Sequence, residues 1–140
     1  MSGPTMREPD ETMMARVHEV AAFMRTLDDS HIAHSFAADV TILENFAPYI
    51  FRGPNAVADW MEGFRGHAEG LSDLAVSFGA AQDYSSDGAT AFFTLPTQWT
   101  GRAHTRAFAE DGGWSFVLRR EGGEWRIAAY GWSVTAMRFT

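Results

Sequence analysis

Glu44 is the residue of this sequence whose type and surroundings best fit acid–base chemistry. It follows the strand-like alternation of residues 41–43 and precedes a loop rich in aromatic side chains, among them Tyr49 and Phe51. A carboxylate at the mouth of an apolar pocket resists ionisation, so its pKa rises and it becomes a usable base or acid near neutral pH. The loop aromatics then either cover the pocket or pack on their own helix. The other interpretation of Glu44 is a solvated strand end, paired with Arg52.

The histidines give weaker indications. His31 and His34 lie three residues apart, a spacing that can begin a metal site, but no third ligand is spaced beside them and no metal is predicted. His67 follows a helix end, where an imidazole interacts favourably with the helix dipole. His104 and Arg106 would share one face of a strand, and they either reach a polar ligand group in the pocket or form an outward salt link. No nucleophile elbow, phosphate loop, dinucleotide glycine pattern or zinc signature is found.

Composition limits the classes of function. The 140 residues fit one domain, which we place at 10–140 after a polar, disordered tail at 1–9. A net charge of −7 argues against nucleic acid as a partner, and no apolar run reaches membrane length. The chain has no Cys, and the first residues carry acids and no apolar signal-peptide core. A cytoplasmic protein is expected.

Periodicity predicts helices early in the chain and strands late. Apolar residues recur at helical spacing between Asp10 and Leu27, and Ser30 can cap a second, short helix. A strand is predicted over 40–45, and a third helix begins at Gly53-Pro54. After residue 70 the alternation predicts four or so antiparallel strands, with a hairpin turn at residues 121–124. This order is typical of an α+β fold with helices on one face of a curved sheet.

Several aromatic residues are candidates for the walls of a pocket. Trp60, Met61 and Phe64 form an apolar stripe on the third predicted helix, and most simply belong to the core. Trp99 and Trp114 lie near strand ends, where a buried indole N–H needs a hydrogen-bond partner. With five Trp and eleven Phe, the chain holds more aromatic area than a minimal core requires.

The last strand, within EWRIAAYGWSVT, suggests how a cavity forms. At the odd-numbered positions the side chains decrease in size along the strand and end in Ala129 and Gly131. The even-numbered positions end in the large aromatic residues Tyr130 and Trp132. If Trp125 and its face pack on the helices, the small residues leave empty volume beyond them. Tyr130 and Trp132 would then lie on the outer face, where large aromatics indicate a partner surface. The alternative is that all these side chains are ordinary core.

Three stretches, FAADVTILE, RGPNAVADW and FVLRREGGEWRIAAYGWS, resemble the nuclear transport factor 2-like superfamily, in particular its bacterial SnoaL-like, ketosteroid-isomerase-like branch. The resemblance covers roughly residues 11–135. It implies a cone-shaped α+β fold in which three N-terminal helices close a curved antiparallel sheet around a deep apolar pocket, walled in part by the third helix. It also implies a homodimer through the outer sheet face, which would suit Tyr130 and Trp132. Members include isomerases, cyclases and dehydratases as well as non-enzymatic binding domains, so the fold alone does not give the function.

One functional residue can be carried over from this resemblance. Aligning Phe36, Asp39 and Thr41 with the F-A-D-D-A-T-V-E-D motif of ketosteroid isomerase puts Glu44 at the position of its general base. The hydrogen-bond donors of that enzyme fall near Val20 and Trp114, which cannot supply the same bonds, although an indole N–H can donate a different one.

The sequence therefore predicts a homodimeric protein that binds an apolar small molecule without a cofactor. If it is an enzyme, proton transfer of the isomerase, dehydratase or cyclase type is expected, with Glu44 as base. The alternative is a ligand-binding or assembly domain without chemistry. In that case Glu44 should be exposed or held by an Arg, and the pocket filled by the protein's own side chains.

Overall fold

The computed structural model describes residues 8–140, and the first seven residues of the predicted tail lie outside this range. The described chain forms two α-helices, α1 (Glu11–Thr26) and α2 (Ala56–His67), and a short 3₁₀ helix (Ile32–Ser35). Its strands are β1 (Phe36–Leu43), β2 (Ile50–Phe51), β3 (Leu71–Phe78), β4 (Gln82–Ser86), β5 (Thr90–Ala103), β6 (Arg106–Glu121) and β7 (Glu124–Phe139).

Helix α1 starts where the sequence predicts it. The side chain of Asp10 accepts a hydrogen bond of 3.0 Å from the backbone N–H of Met13, which satisfies one free donor of the first turn. The helix ends at Leu27, whose backbone adopts a left-handed conformation with φ of 61°. The buried face of α1 packs on the sheet and includes Val17, Val20 and Phe23.

The prediction of three helices is only partly met. The segment after Ser30 forms the 3₁₀ helix of four residues, because only residues 31–35 separate Ser30 from the first residue of β1, Phe36. So short a segment gains too few backbone hydrogen bonds to sustain an α-helix. Strand β1 correspondingly starts four residues earlier than the predicted range of 40–45.

The strands form one curved sheet in the order β2-β1-β7-β6-β5-β3, with β4 also paired to β5. The expected purely antiparallel sheet is wrong: the sheet is mixed, since β1 runs parallel to β7 while the other pairs are antiparallel. Helices α1 and α2 cover the concave face, and the hydrophobic core lies between them and the sheet. Among residues 8–140, no helix combines the length and apolar character needed to cross a membrane.

Strand β6 is continuous through Asp111-Gly112-Gly113, although this tripeptide is typical of a turn or a bulge. Its hairpin with β5 turns at His104 and Thr105. The predicted turn between β6 and β7 is confirmed. Gly122 and Gly123 have φ of 61° and 83°, the conformation that a two-residue hairpin loop requires.

Strand β7 contains a bulge that reverses its two faces. Val117 of β6 pairs with Ala129 of β7, whereas the next residue, Leu118, pairs with Ile127, so Ala128 is an extra residue. A bulge of one residue shifts the alternation of side chains by one position. Trp125 and Ile127 face the core before the bulge, as predicted. After it, the even-numbered residues Tyr130, Trp132 and Val134 face inward, until a second extra residue, Thr135, returns odd-numbered Met137 to that face.

The expected outer position of Tyr130 is therefore wrong: its side chain is only 2% exposed and faces the core. Trp132 is half-buried and faces the same concave side, so it also does not lie on the outer face. Ala129 and Gly131 lie on the convex face, where Gly131 is next to Leu43. They cannot create the cavity that the sequence analysis assigned to them.

Candidate functional site

Glu44 follows strand β1 directly and is buried, with 7% of its surface exposed. Ile42 faces the core and Leu43 faces outward, so the alternation of the strand turns Glu44 inward. Its backbone N–H donates to the carbonyl oxygen of Tyr49, which fixes the residue beyond the regular strand. The solvated strand end that the sequence left open is excluded.

Two buried donors hold one oxygen of this carboxylate. The indole Nε1 of Trp60 donates to Glu44 Oε2 at 2.9 Å, and the hydroxyl of Tyr130 donates to the same oxygen at 2.5 Å. No hydrogen bond from residues 8–140 reaches Oε1. The carboxylate is thus fixed in orientation while one of its oxygens stays available.

Burial dominates the acidity of Glu44. Loss of hydration raises the pKa of this carboxyl from 4.5 to about 7, although the hydrogen bonds from Tyr130 and Trp60 act in the opposite direction. The nearby charge of Glu110 raises the pKa a little more. Burial, and then the charge of Glu44, raise the pKa of Tyr130 well above its usual range, so this phenol stays a donor. Near neutral pH, Glu44 is poised between its two protonation states.

Three elements bring these groups together. Trp60 lies on the buried face of α2 and is 0% exposed, with its ring against Phe23 and Phe36. Tyr130 reaches the site from β7, because the bulge at Ala128 turns it inward. Each donor is enclosed in apolar surroundings, where an unpaired N–H or O–H would be costly. Glu44 is therefore also the acceptor that satisfies both groups.

A cavity of about 210 Å³ opens beside Glu44, between the sheet and the end of α2. Its polar lining residues are Glu44, Asn45, His67 and Glu110. Its aromatic walls are Phe46, Phe64, Trp99, Phe108, Trp114 and Trp132. Met137 also lines the cavity and is half exposed, so the cavity reaches the surface there.

Glu110 is a second carboxylate in the same cavity, and the sequence analysis did not single it out. It lies on β6 between Trp99 of β5 and Met137 of β7, which pair with it on either side and share its inward face. Partial burial raises its pKa. In the part of the chain that the structure describes, no side chain forms a hydrogen bond or ion pair with it. The signal that could have found it is the alternation of β6, in which Phe108, Glu110 and Gly112 share one face.

His67 stands at the rim of the cavity, at the end of α2. Its ring stacks on Phe46 with the centroids 4.7 Å apart. Partial burial lowers its pKa, so it is neutral at neutral pH. His31 and His34 lie elsewhere, with their rings 6.4 Å apart. Within residues 8–140 there is no cluster of three potential metal ligands.

Gly112 provides the space that Trp132 occupies. A Cβ atom at Gly112 would lie 2.2 Å from the carbonyl oxygen of Ser133 and 2.5 Å from the indole of Trp132. The wall formed by Trp132 therefore depends on the missing side chain at this position.

The predicted pocket residues separate into two groups. Phe64, Trp99 and Trp114 line the cavity. The other seven are outside its lining, and two of these, Ala129 and Gly131, lie on the convex face as described above. Trp60 and Phe51 are buried in the core, Met61 is partly buried against it, Tyr49 is 61% exposed, and His104 occupies the turn after β5. Tyr49 and Phe51 therefore do not cover the cavity, and His104 is not part of its lining.

The indole of Trp114 has an unusual environment. Its Nε1 is buried and has no hydrogen-bond partner among the described residues. The ring packs between Phe116, 4.9 Å away, and Tyr130, 5.5 Å away between centroids. Because the nitrogen atom is inaccessible, we assign it no contact with a ligand.

The arrangement of the helices and the curved sheet is that of the nuclear transport factor 2-like fold, as the resemblance in the sequence predicted. Hexachlorocyclohexane dehydrochlorinase of Novosphingobium barchaimii matches with a TM-score of 0.78 at 8% identity, over 92% of this chain and 88% of that one.

Two further solved structures share the fold. A proposed scytalone dehydratase of Novosphingobium aromaticivorans has a TM-score of 0.73 at 10% identity, covering 91% of this chain and 84% of its own. A proposed ketosteroid isomerase of Shewanella frigidimarina has a TM-score of 0.70 at 20% identity, covering 89% and 96%. No protein-family model matches the sequence, and neither does any curated protein. At these identities the likeness concerns the fold alone.

Proposed function

We propose that this protein binds a small, largely apolar molecule and moves a proton to or from one of its carbon atoms, with Glu44 as the base. The observation that carries the proposal is the buried Glu44 carboxylate beside an open cavity. One of its oxygens is held by Trp60 and Tyr130, and the other is free. A fixed base in a dry site loses little energy to reorganisation during proton transfer.

The acidity of Glu44 supports this role. A general base works best when its pKa is close to the working pH, because it is then both partly ionised and sufficiently basic. Burial brings the pKa of Glu44 to about 7. The carboxylate form takes the proton from the substrate, and the carboxylic acid form can return it to another atom. Isomerisation, dehydration and elimination all include such steps.

The size of the cavity limits the ligand. At about 210 Å³ it is smaller than the roughly 300–1,000 Å³ usual for drug-sized ligands. We therefore propose a substrate with one or two rings, rather than a larger polycyclic molecule. Dehydrochlorinase, dehydratase and isomerase activities, named for three proteins of the same fold, are consistent with the reaction class.

The proposal can be tested with 5-nitrobenzisoxazole, a small bicyclic probe for a protein base. A carboxylate removes the proton from C3 of this compound, the C–H electron pair forms the nitrile, and the N–O bond breaks to release a coloured phenolate. We expect the rate to rise with pH through about 7, as Glu44 ionises. Glu44→Gln, which keeps an acceptor for Trp60 and Tyr130, should lower the rate about 100-fold or more.

Glu62→Gln is the matched control, since Glu62 is exposed on α2 and is not part of the cavity lining. It should leave the rate unchanged. A rate that is equal in the wild type and Glu44→Gln would refute the role of Glu44 as base.

The second candidate function is ligand binding without chemistry. One observation favours it: Glu44 accepts hydrogen bonds from two buried donors, and this structural role alone can explain a glutamate at this position. Against it, no Arg contacts Glu44 within residues 8–140, and the cavity is not filled. This candidate predicts that small ring compounds raise the melting temperature equally in wild type and Glu44→Gln, with no proton-transfer rate.

The homodimer and the cytoplasmic location remain predictions. With Tyr130 buried, a dimer through the convex face would have to use other residues. Leu43 and Ile50 pair there and are 47% and 41% exposed. We propose these as the apolar centre of such an interface.

A further inference from the structure

The proposed function does not require Glu110, yet this second carboxylate faces the same cavity. Its side chain has no hydrogen bond or ion pair with any residue from 8 to 140. Partial burial removes some of the hydration of this carboxylate, and no donor of the described residues compensates for that loss. The partner of Glu110 is therefore to be sought in what occupies the cavity.

The charges around the cavity argue against an anionic ligand. Its lining contains two carboxylates, Glu44 and Glu110, and no Arg, and the whole chain lacks Lys. His67, the basic residue at the rim, is neutral at neutral pH. An anionic ligand would meet repulsion without a compensating cation. The net charge of −7 also favours the approach of cations over anions.

The walls add a second feature that suits a cation. Trp99 pairs directly opposite Glu110 on the inward face of the sheet, and Phe108 lies two positions before Glu110 on the same face of β6. Aromatic rings attract an ammonium group through their electron-rich faces, most strongly when water is excluded. A carboxylate beside such rings is the combination that binds a protonated amine on an apolar body.

We propose that the cavity binds a small aromatic or cyclic amine, with its ammonium group on Glu110 and its reacting carbon next to Glu44. This assignment rests on the proposed function for the role of Glu44, while the amine site itself needs only the cavity. The two carboxylates then have separate tasks: Glu110 binds and orients, and Glu44 exchanges the proton.

Three probes with the same indole ring test the charge preference: tryptamine with an ammonium group, tryptophol with a hydroxyl group, and indole-3-acetate with a carboxylate. Affinities would be measured by calorimetry on the full chain at mildly alkaline pH. We expect tryptamine to bind best, tryptophol more weakly, and indole-3-acetate not at all. Glu110→Gln should weaken tryptamine binding about tenfold and change tryptophol binding less than about twofold. Glu62→Gln should alter neither.

Three results would overturn the proposal. The first is that tryptophol binds as tightly as tryptamine. The second is that Glu110→Gln weakens the binding of both compounds equally, as a packing defect would. The third is that neither tryptamine nor the smaller 2-phenylethylamine binds. None of these affects the proposed base, because that depends on the reaction of uncharged 5-nitrobenzisoxazole and on Glu44→Gln. Conversely, an amine that binds through Glu110 in a protein without proton-transfer activity would support the amine site and refute the base.

Discussion

The hydroxyl of Tyr130 donates a hydrogen bond of 2.5 Å to Oε2 of Glu44, although 86 residues separate the two in the chain. The bond joins strand β7 to the end of β1, two strands that run parallel in the sheet. It limits how far burial can raise the pKa of Glu44, because it stabilises the charged carboxylate. The acidity of the site is thus a balance between dehydration and this donor.

Removing the donor should shift that balance. In Tyr130→Phe, the carboxylate of Glu44 loses a charge-assisted hydrogen bond, so its pKa should rise further above 7. The midpoint of the pH–rate profile with 5-nitrobenzisoxazole should move to higher pH, while the rate at high pH stays close to that of wild type. An unchanged midpoint would contradict the assigned bond. Tyr84→Phe is the control, since Tyr84 lies on β4 and does not line the cavity.

The raised pKa of Glu44 also predicts a pH dependence of stability. Between pH 4.5 and about 7 the unfolded chain releases this proton while the folded protein keeps it. The contribution of Glu44 to the free energy of unfolding is therefore fully present below pH 4.5. It decreases by roughly 3 kcal/mol as the pH rises to about 7. In Glu44→Gln this loss should vanish. Urea unfolding of both proteins across the window measures the difference, and parallel pH profiles would show that Glu44 is not dehydrated in the folded state.

The adjacent glycines of β6 provide a matched pair of variants. Gly112→Ala should displace the indole of Trp132 and destabilise the protein by about 1–3 kcal/mol, because the new Cβ meets atoms at 2.2 and 2.5 Å. Gly113→Ala should be nearly neutral, since its nearest contact is the Thr94 methyl at 3.9 Å. Thermal unfolding compares the two. Equal melting temperatures would mean that the position of the Trp132 indole does not depend on the absence of a side chain at Gly112.

The proposed dimer predicts an effect of charge on the convex face. Leu43→Glu should convert a dimer into a monomer, because it puts a carboxylate in the apolar centre formed with Ile50. Leu27→Glu, a change of another exposed leucine at the end of α1, should leave the mass unchanged. Light scattering measures both, and a monomeric wild type would refute the interface.

Much of the framework was predictable from local patterns. The cap at Asp10 and the apolar stripe that contains Trp60 predicted α1 and α2, and the glycines at 122–123 predicted the last hairpin. These signals depend on residues close in sequence, where the physics of caps and turns acts directly. The resemblance then supplied the arrangement of the elements and directed attention to Glu44.

The partners of Glu44 were not predictable in the same way. Alternation along β7 assigns Tyr130 to the outer face unless the extra residue at Ala128 is known. That bulge follows from pairing with β6, not from the composition of β7, so a single strand does not reveal it. Glu110 was missed for a different reason: Gly112 and Gly113 left open whether residues 103–120 form one strand or two, so the inward face of this segment was not assigned.

The bulge at Ala128 has a consequence for comparing this chain with its structural neighbours. When a neighbour's strand lacks the extra residue, its inward positions align with those of this chain only if one gap is placed between Ile127 and Tyr130. An ungapped alignment anchored on the β6–β7 hairpin would equate Tyr130 with an outward residue of the other protein. To identify the residues of other proteins that correspond to site residues on β7, the backbones should therefore be superposed first and the sequences aligned afterwards.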